Sequence, residues 1–316
     1  MLRYIIQRVL FMIPVALLVS FMAFMVIHLI PGDPARVLLG EEATPQTVAA
    51  LRQQLGLDKP LLLQFVLWLW QAVHGNLGQS IQLQQPVTQA IIQRLPVTIE
   101  LGVASLLFSL LLATPLGVYS ATHRNSGVEW LVNLSSLIGT AIPSFVLALV
   151  LIFLFAVVWR IFPPGGYTPL MDEPFDNLRD LILPMVALGT GTVAVNLRQI
   201  RASMAEVLGQ DYVRTARAKG LANWRVTYVH AFRNALVPLI TIVGLQIGAI
   251  LGGAFVIETI FLWPGIGALA VQSIFSKDYP VVQGTVVLVA FSYMLTNLLV
   301  DLSYAFLDPR IRLGKS

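Results

Sequence analysis

Residues 9–30 read "VLFMIPVALLVSFMAFMVIHLI", a stretch of 22 residues that contains no Asp, Glu, Lys or Arg. A helix of about 20 apolar residues crosses the ~30 Å hydrocarbon core of a bilayer. The apolar part of a secretory signal peptide is shorter, about 7–15 residues, and ends at a cleavage site of small residues. This stretch is longer and continues into "PGDPAR". It therefore predicts an uncleaved membrane span.

The composition of the remaining chain extends this prediction. Of the 316 residues, 57% are hydrophobic and 11% are charged, and the mean hydropathy is +0.78. A soluble domain normally carries about 25% charged residues. We therefore predict an all-α, polytopic membrane protein that forms a single transmembrane domain over residues 1–316. The six predicted transmembrane helices cover residues 9–30, 98–121, 131–159, 181–198, 235–257 and 281–302.

The fourth predicted span is short and contains helix-breaking residues, Pro184, Gly189 and Gly191. Irregular backbone survives in a membrane only where neighbouring protein or water satisfies its polar groups. One interpretation is a close helix–helix contact through small residues. The other is that this segment contributes to a translocation path, and the sequence leaves both open.

The long connection over residues 31–97 is predicted to hold short helices. Thr44 followed by Pro45 is typical of a helix start, and Gly56 is typical of a helix end. The apolar run at 61–73 has 13 residues, too few to span a bilayer. We expect it to lie at the membrane surface, with its tryptophans at the level of the lipid headgroups.

The distribution of Lys and Arg predicts the orientation of the spans, because cytoplasmic connections carry an excess of these residues. With both termini in the cytoplasm, the inner segments hold 13 of the 20 Lys and Arg residues. The connection from Arg198 to Arg233 alone holds 7 of them. We therefore predict that both termini and this connection are cytoplasmic.

Residues 211–225, "DYVRTARAKGLANWR", form the most basic stretch of the chain. Asp211 suits a helix start and Gly220 a helix end, and the basic residues near the end suit the helix dipole. A lipid surface would require a wider apolar face, and one short run is a poor nucleic-acid footprint. A protein groove fits best, and the alternative is a loop that only determines topology. One helical face is predicted to carry Tyr212, Thr215, Ala216 and Lys219.

Several polar residues fall within or near the predicted spans, where polar groups are costly. They either hydrogen-bond between helices or line a wet cavity, and the sequence favours neither. The candidates for a translocation path are Thr140, Ser144, Asn196, Gln246 and Glu258. Separately, the carboxylates Glu100, Glu258 and Asp301 are expected at span ends, within reach of headgroup water.

The basic stretch and the residues after it, "DYVRTARAKGLANWRVTYVHAFRNALVPLIT", resemble the cytoplasmic loop of permease subunits in bacterial ABC importers. The resemblance is to the branch that imports dipeptides, oligopeptides, glutathione and nickel. Ala216 and Gly220 match the family pattern, whereas Arg214 and Thr215 stand where Glu and Ala are usual. Further resembling segments are "HLIPGDPAR", "LRQQLGLDKPLLLQF", "GNLGQSIQLQQPV", "ETIFLWPGIGALAVQSIFSKDYPVVQG" and "LDPRIR".

The resemblance implies a type I ABC importer permease fold in a bacterial inner membrane. It implies a second homologous permease subunit, two ATPase subunits that bind ATP and Mg²⁺, and an extracytoplasmic binding protein that faces loop 31–97. It also implies a coupling loop at 199–234 that seats in an ATPase. The residues that it assigns to this coupling are Asp211, Tyr212, Arg214, Thr215, Ala216, Lys219 and Gly220.

Residue patterns also indicate what the chain lacks. The terminal "GKS" at 314–316 lacks the first glycine of a phosphate-binding loop, and no hydrolase motif occurs. We therefore expect a non-catalytic subunit that binds no cofactor, metal or nucleic acid. The cargo is predicted to be short peptides, with glutathione or a nickel chelate as alternatives. The rival class is a self-sufficient secondary transporter, which would need paired repeats or carboxylates at span centres.

Overall fold

The computed structural model describes residues 2–29, 36, 39, 43–54 and 57–307, and these residues are almost entirely helical. Apart from one isolated bridge between Gln79 and Pro86, no β-structure occurs among them. The predicted all-α class is therefore confirmed. In chain order the helices are α1 Leu2–Leu29, α2 Pro45–Gln54, α3 Leu61–Val73, α4 Val87–Thr122, α5 Gly127–Ala141, α6 Ser144–Leu151, α7 Pro174–Val207, α8 Asp211–Ala218, α9 Phe232–Gly253, α10 Phe255–Ile260, α11 Ile266–Phe275 and α12 Tyr279–Leu307.

Two π-helical segments extend this set: Ile152–Val158 continues α6, and Arg225–Ala231 leads into α9. Four segments of the described chain are long and apolar enough to cross a membrane, namely Ile6–Met25, Val87–Thr122, Pro174–Val207 and Tyr279–Leu302. Two further pairs of helical segments qualify if each bent pair counts as one span. The described chain therefore has between four and six apolar spans.

The third predicted span, 131–159, is sharply bent. The helical axis turns by 98° between α5 and the α6 segment. Ile142 has an extended backbone (φ −82°, ψ 119°), and Pro143 follows it. Proline disfavours the helical conformation of the residue before it, which explains why α5 ends here.

The fourth predicted span is longer than expected. Helix α7 has 34 residues and runs through Pro184 without ending. It packs along α4, and small residues permit the close approach. A Cβ on Gly117 of α4 would lie 2.9 Å from Ile200, and one on Gly189 of α7 would lie 2.7 Å from Phe108. These distances support the helix-contact interpretation of this segment. An apolar cluster lies beside it, between α4, α7 and α9.

The connection before α4 contains the predicted short helices. Thr44 caps α2, because its hydroxyl accepts the backbone N–H of Thr47 at 3.2 Å. Helix α3 packs on α1 through rings, with the centroids of Phe21 and Phe65 5.2 Å apart. Trp70 is 68% exposed, as a surface helix requires. Gly56, the predicted end of α2, lies outside the described residues.

The segment between α3 and α4 is held by a buried carboxylate from a distant part of the chain. Asp278, just before α12, is 1% exposed. It accepts the hydroxyl of Ser80 at 2.5 Å and the backbone N–H groups of Ile81 and Gln82 at 3.1 Å each. The connection that precedes α4 is therefore joined to the connection that precedes α12.

Helices α9 and α12 meet along a row of glycines spaced four residues apart. Gly244 faces Val300, and a Cβ there would overlap that side chain. A Cβ on Gly248 would lie 2.8 Å from the ring of Tyr293. In a membrane, such small residues let two backbones approach and gain dispersion contacts.

We predict that Gly248→Ala lowers the stability of the protein, because overpacking a helix contact costs about 1–3 kcal/mol. Thermal unfolding in a neutral detergent measures the change. Gly191→Ala is the matched control on α7, since its Cβ would meet only the Gly139 carbonyl oxygen, at 4.0 Å. Equal unfolding temperatures for the two variants would contradict the proposed packing role of Gly248.

Candidate functional site

The basic stretch forms a short helix with defined ends. Helix α8 begins at Asp211, as predicted. Gly220 follows its last turn with φ +77°, a left-handed conformation that favours glycine. The Gly220 N–H donates to the Arg217 carbonyl at 2.9 Å, and the Leu221 N–H donates to the Ala216 carbonyl at 3.4 Å. The predicted helix end at Gly220 is confirmed.

The structure divides the predicted coupling residues between two faces of α8. Val213 and Ala216 are buried against Val226, beside Leu208 and Leu221. The sequence predicted that Ala216 shares a face with Tyr212, Thr215 and Lys219. The structure buries Ala216 and leaves the other three exposed, and a role of Ala216 in coupling stays a prediction. An eight-residue helix needs an apolar contact to remain on the bundle, and Val213 and Ala216 provide it.

The outward face of α8 is polar and exposed. It carries Asp211, Arg214, Thr215 and Lys219, and Gly220 is also exposed. Arg214 and Asp211 form an ion pair of 3.4 Å, with side chains 73% and 95% exposed. Such exposed pairs contribute little free energy, so both groups can exchange partners at low cost.

Tyr212 connects α8 to α9. Its hydroxyl oxygen accepts a hydrogen bond of 2.8 Å from the side-chain amide of Asn234. Asn234 lies in the first turn of α9 and also donates to the His230 carbonyl at 3.1 Å. Tyr212 therefore serves as an attachment point in this structure, while the four exposed side chains form the outer surface.

A second set of polar contacts fixes the end of α7 that leads into α8. The sequence did not indicate these contacts. The guanidinium of Arg201 on α7 pairs with Glu129 of α5, its Nε donating at 3.0 Å. The backbone N–H of Asn125 donates to the same carboxylate at 2.6 Å, and Arg124 donates to the Ala205 carbonyl at 3.2 Å. These bonds join the connection between α4 and α5 to the end of α7. From the sequence, Arg201 was only one of the seven basic residues between Arg198 and Arg233 that predict the orientation of the spans.

Two of the predicted path residues bind each other inside the helix bundle. Asn196 of α7 is fully buried and exchanges two amide hydrogen bonds with Gln246 of α9, at 3.0 and 3.1 Å. Asn196 also donates to Ser109 of α4 at 2.9 Å. The three residues form a polar clamp between α4, α7 and α9. This is the interhelical alternative of the two that the sequence left open, and a role in a path stays a prediction.

Thr140 and Ser144 lie on either side of the bend at Pro143. The Thr140 hydroxyl donates to the carbonyls of Ser136 and Leu137 on its own helix, at 3.1 and 3.0 Å. Thr140 is exposed and Ser144 is half-buried. The structure does not bring either residue to the polar clamp, and their role in a path stays a prediction.

We predict that Asn196→Ala and Gln246→Ala are not additive in their effect on stability. Interhelical hydrogen bonds in membranes contribute about 0.6 kcal/mol on average and up to about 1.7 kcal/mol. A double-mutant cycle on thermal unfolding should yield a coupling energy in this range. Thr140→Ala combined with Gln246→Ala serves as the control and should be additive. Additivity in the first cycle would show that the clamp contributes nothing.

Glu258 was expected near headgroup water, and this expectation is wrong. The side chain is fully buried in α10. Its Oε1 accepts the Thr98 hydroxyl at 2.7 Å, and its Oε2 accepts the backbone N–H of Ala268 at 2.9 Å. The Thr98 hydroxyl in turn accepts the backbone N–H of Ile266 at 2.8 Å. The carboxylate therefore caps the first turn of α11, where unpaired N–H groups attract negative charge.

The turn between α10 and α11 packs tightly against the carboxylate of Glu258. A Cβ on Gly265 would overlap the carboxylate of Glu258. Trp263 is fully buried, and its indole N–H donates to the Val97 carbonyl at 3.1 Å. Tyr167 stacks edge-on against Trp263, with centroids 4.7 Å apart. This turn joins α4, at Val97 and Thr98, to α11.

The Tyr167 hydroxyl also donates to Glu100 at 3.0 Å, and Asn177 donates to the same carboxylate at 2.6 Å. Burial and the hydrogen bond to Glu100 raise the pKa of Tyr167 to about 12. Tyr167 therefore remains a hydrogen-bond donor at neutral pH. Asp301, the third carboxylate predicted near a span end, pairs with Arg8 of α1 at 2.8 Å.

We predict that Glu258→Ala destabilises the protein by about 1–3 kcal/mol, because it leaves buried N–H groups without an acceptor. Glu258→Gln should lose less, since its amide oxygen still accepts one of these bonds. Thermal unfolding in detergent measures both effects. Asp172→Ala, at an exposed position before α7, is the control and should change little. A variant Glu258→Ala as stable as this control would contradict the capping role.

Comparison with known proteins agrees with this architecture. Residues 113–313 match the family model described as binding-protein-dependent transport system inner membrane component. Residues 1–102 match the corresponding N-terminal family model. The chain belongs to this family. It is therefore a multi-pass protein of a bacterial inner membrane.

The curated relatives match over nearly their whole length. The chain is 44% identical to a putative peptide transport system permease protein of Brucella abortus (strain 2308), over 98% of each chain. It is 40% identical to the dipeptide transport system permease protein DppB of Escherichia coli (strain K12), over 99% of each chain. A DppB of Alkalihalophilus pseudofirmus is 40% identical over 99% of this chain.

Proposed function

We propose that this chain is one of two permease subunits in an ATP-driven importer of short peptides. Two separate ATPase subunits bind ATP and Mg²⁺, and an extracytoplasmic protein delivers the cargo. The names of the relatives support peptides as the cargo, since they are described as peptide or dipeptide permeases. Glutathione and nickel chelates are the alternative cargoes.

The observation that carries this proposal is that α8 packs on the bundle through one face and exposes the other. Its inner face is fixed to the bundle by Val213 and Ala216, while its outer face is cationic and exposed. The proposed ATPase contact consists of Asp211, Arg214, Thr215, Lys219 and Gly220. Tyr212 transmits movement of α8 to α9. Ala216 is left out of the contact surface because it is buried within the chain.

Hydrogen bonds provide a physical route from α8 to the spans. Tyr212 binds Asn234 at the start of α9, and Gln246 further along α9 binds Asn196 of α7. Asn196 binds Ser109 of α4. A displacement of α8 would therefore act on three helices through a few specific contacts.

The proposed topology has six spans, with each bent pair crossing the membrane once. Both termini and loop 199–234 face the cytoplasm, as the excess of Lys and Arg in the inner segments favours. Loop 31–97 faces the opposite side, where it would meet the binding protein. This loop contains α2, α3 and the segment at residues 80–82 that Asp278 holds.

A single-cysteine experiment tests both orientation and coupling, because the chain contains no cysteine of its own. Lys219→Cys places a thiol on the outer face of α8. Met171→Cys places one in the connection before α7, where the native side chain is 93% exposed. In whole cells, a membrane-impermeant maleimide should react with Met171→Cys and not with Lys219→Cys. In inside-out vesicles the pattern should reverse.

The same thiol then tests coupling in the assembled, reconstituted transporter. A bulky maleimide on Lys219→Cys should reduce ATP-driven dipeptide uptake to background, because the group would block the seating of α8. ATP hydrolysis by the partner subunits should continue. Reaction of Lys219→Cys from outside the cell would overturn the topology. Full uptake by the labelled protein would overturn the coupling role, and ion-driven uptake by the chain alone would favour a secondary transporter.

A further inference from the structure

A cavity of about 810 Å³ lies behind the basic stretch. Its walls come from the ends of α4 and α7, from α8, and from the π-helical segment that leads into α9. Six of its lining residues carry charge or aromatic rings, namely Tyr119, His123, Arg124, Arg217, Trp224 and Tyr228. This volume falls in the range typical of small-molecule sites, about 300–1,000 Å³.

The charged side chains that line the cavity are positive. Arg124 and Arg217 line it, and no Asp or Glu is among its lining residues. Two carboxylates lie near this lining without belonging to it: Glu129 pairs with Arg201 and also interacts electrostatically with Arg124, and Asp211 forms an exposed pair with Arg214. Arg124 donates to the Ala205 carbonyl through one nitrogen, so other donors of its guanidinium remain available. The cavity therefore attracts an anion.

The position of the cavity indicates which anion. Helix α4 ends at Thr122 and the span predicted from the sequence ends at residue 121, so in the proposed topology the cavity lies at the cytoplasmic end of that span. Tyr119, Trp224 and Tyr228 are 48%, 59% and 53% exposed. Aromatic side chains with one polar edge are enriched at this boundary between hydrocarbon and water. A ligand held here would have its charged part beside the arginines and its apolar part beside α4.

We propose that this cavity binds the phosphate headgroup of an anionic phospholipid. Basic pockets between spans at a membrane surface are suited to such headgroups. Arg124 and Arg217 pair with the phosphate, and the side chains of Asn223 and Thr227, which also line the cavity, supply further hydrogen-bond donors. The acyl chains lie along the exposed apolar surface of α4.

This site is separate from the proposed ATPase contact. Arg124 and Arg217 line the cavity, whereas Arg214 and Lys219 do not. Lipid binding requires no partner subunit, so its failure leaves the importer assignment intact. A bound headgroup would fill the space between α4 and the loop that carries α8, and would thereby brace that loop.

Native mass spectrometry of the full chain in a neutral detergent tests the proposal. The probes are dioleoylphosphatidylglycerol, dioleoylphosphatidylcholine and glycerol 3-phosphate. We expect retention of the anionic lipid in preference to the zwitterionic one. The double variant Arg124→Gln/Arg217→Gln should weaken that retention by about fivefold or more per charge removed. The control Arg214→Gln/Lys219→Gln removes the same charge from the same loop and should retain the lipid.

A second variant tests the cavity without changing its charge. Thr227→Trp places bulk inside the cavity and should also reduce retention of the anionic lipid. Equal loss in the control pair would show non-specific attraction to the basic loop and would overturn the proposal. Binding of glycerol 3-phosphate as tight as that of the lipid would identify a soluble phosphate site instead. Unchanged lipid retention with impaired ATPase assembly in Arg124→Gln/Arg217→Gln would identify a protein contact.

Discussion

The close contact between α4 and α7 is the interaction on which the rest of the structure depends. Gly117 and Gly189 let the two helices approach so closely that a methyl group at either position would collide with the opposite helix. The hydrophobic effect does not drive helices together inside lipid, so packing and hydrogen bonds must do so. The polar clamp of Asn196, Gln246 and Ser109 adds α9 to this pair. The loop that carries α8 begins at the end of α7, and α10 with the turn before α11 follows α9.

Polar side chains within the bundle connect segments that are distant in the chain. Asp278 holds the segment before α4, and Glu258 joins Thr98 of α4 to the first turn of α11. Arg201 and Glu129 do the same at the opposite end of α7. A buried charge is tolerated only when it is paired or accepts several hydrogen bonds. Asp278 and Glu258 are buried and meet that condition, whereas Arg201 and Glu129 are paired but only half-buried.

Helix α8 combines firm attachment with an exposed surface. Its apolar residues and Tyr212 bind it to the bundle, and its cations face away from these contacts. The cavity behind it separates this outer surface from the end of α4. In the proposed assembly, the basic loop presents Arg214 and Lys219 to a partner subunit and Arg217 to the cavity beside α4.

The sequence by itself determined the helical membrane class, the short helices before α4 and the two ends of α8. These features depend on local composition, on turn residues such as Gly220 and on the length of apolar runs. Only the tertiary structure decided that Ala216 faces inward, that Pro143 breaks the third predicted span and that Pro184 does not break α7. It also decided that Glu258 caps α11 in a buried site. The physical reason is that burial, bending and hydrogen-bond partners depend on which helices pack together, and residues up to 198 positions apart supply those partners.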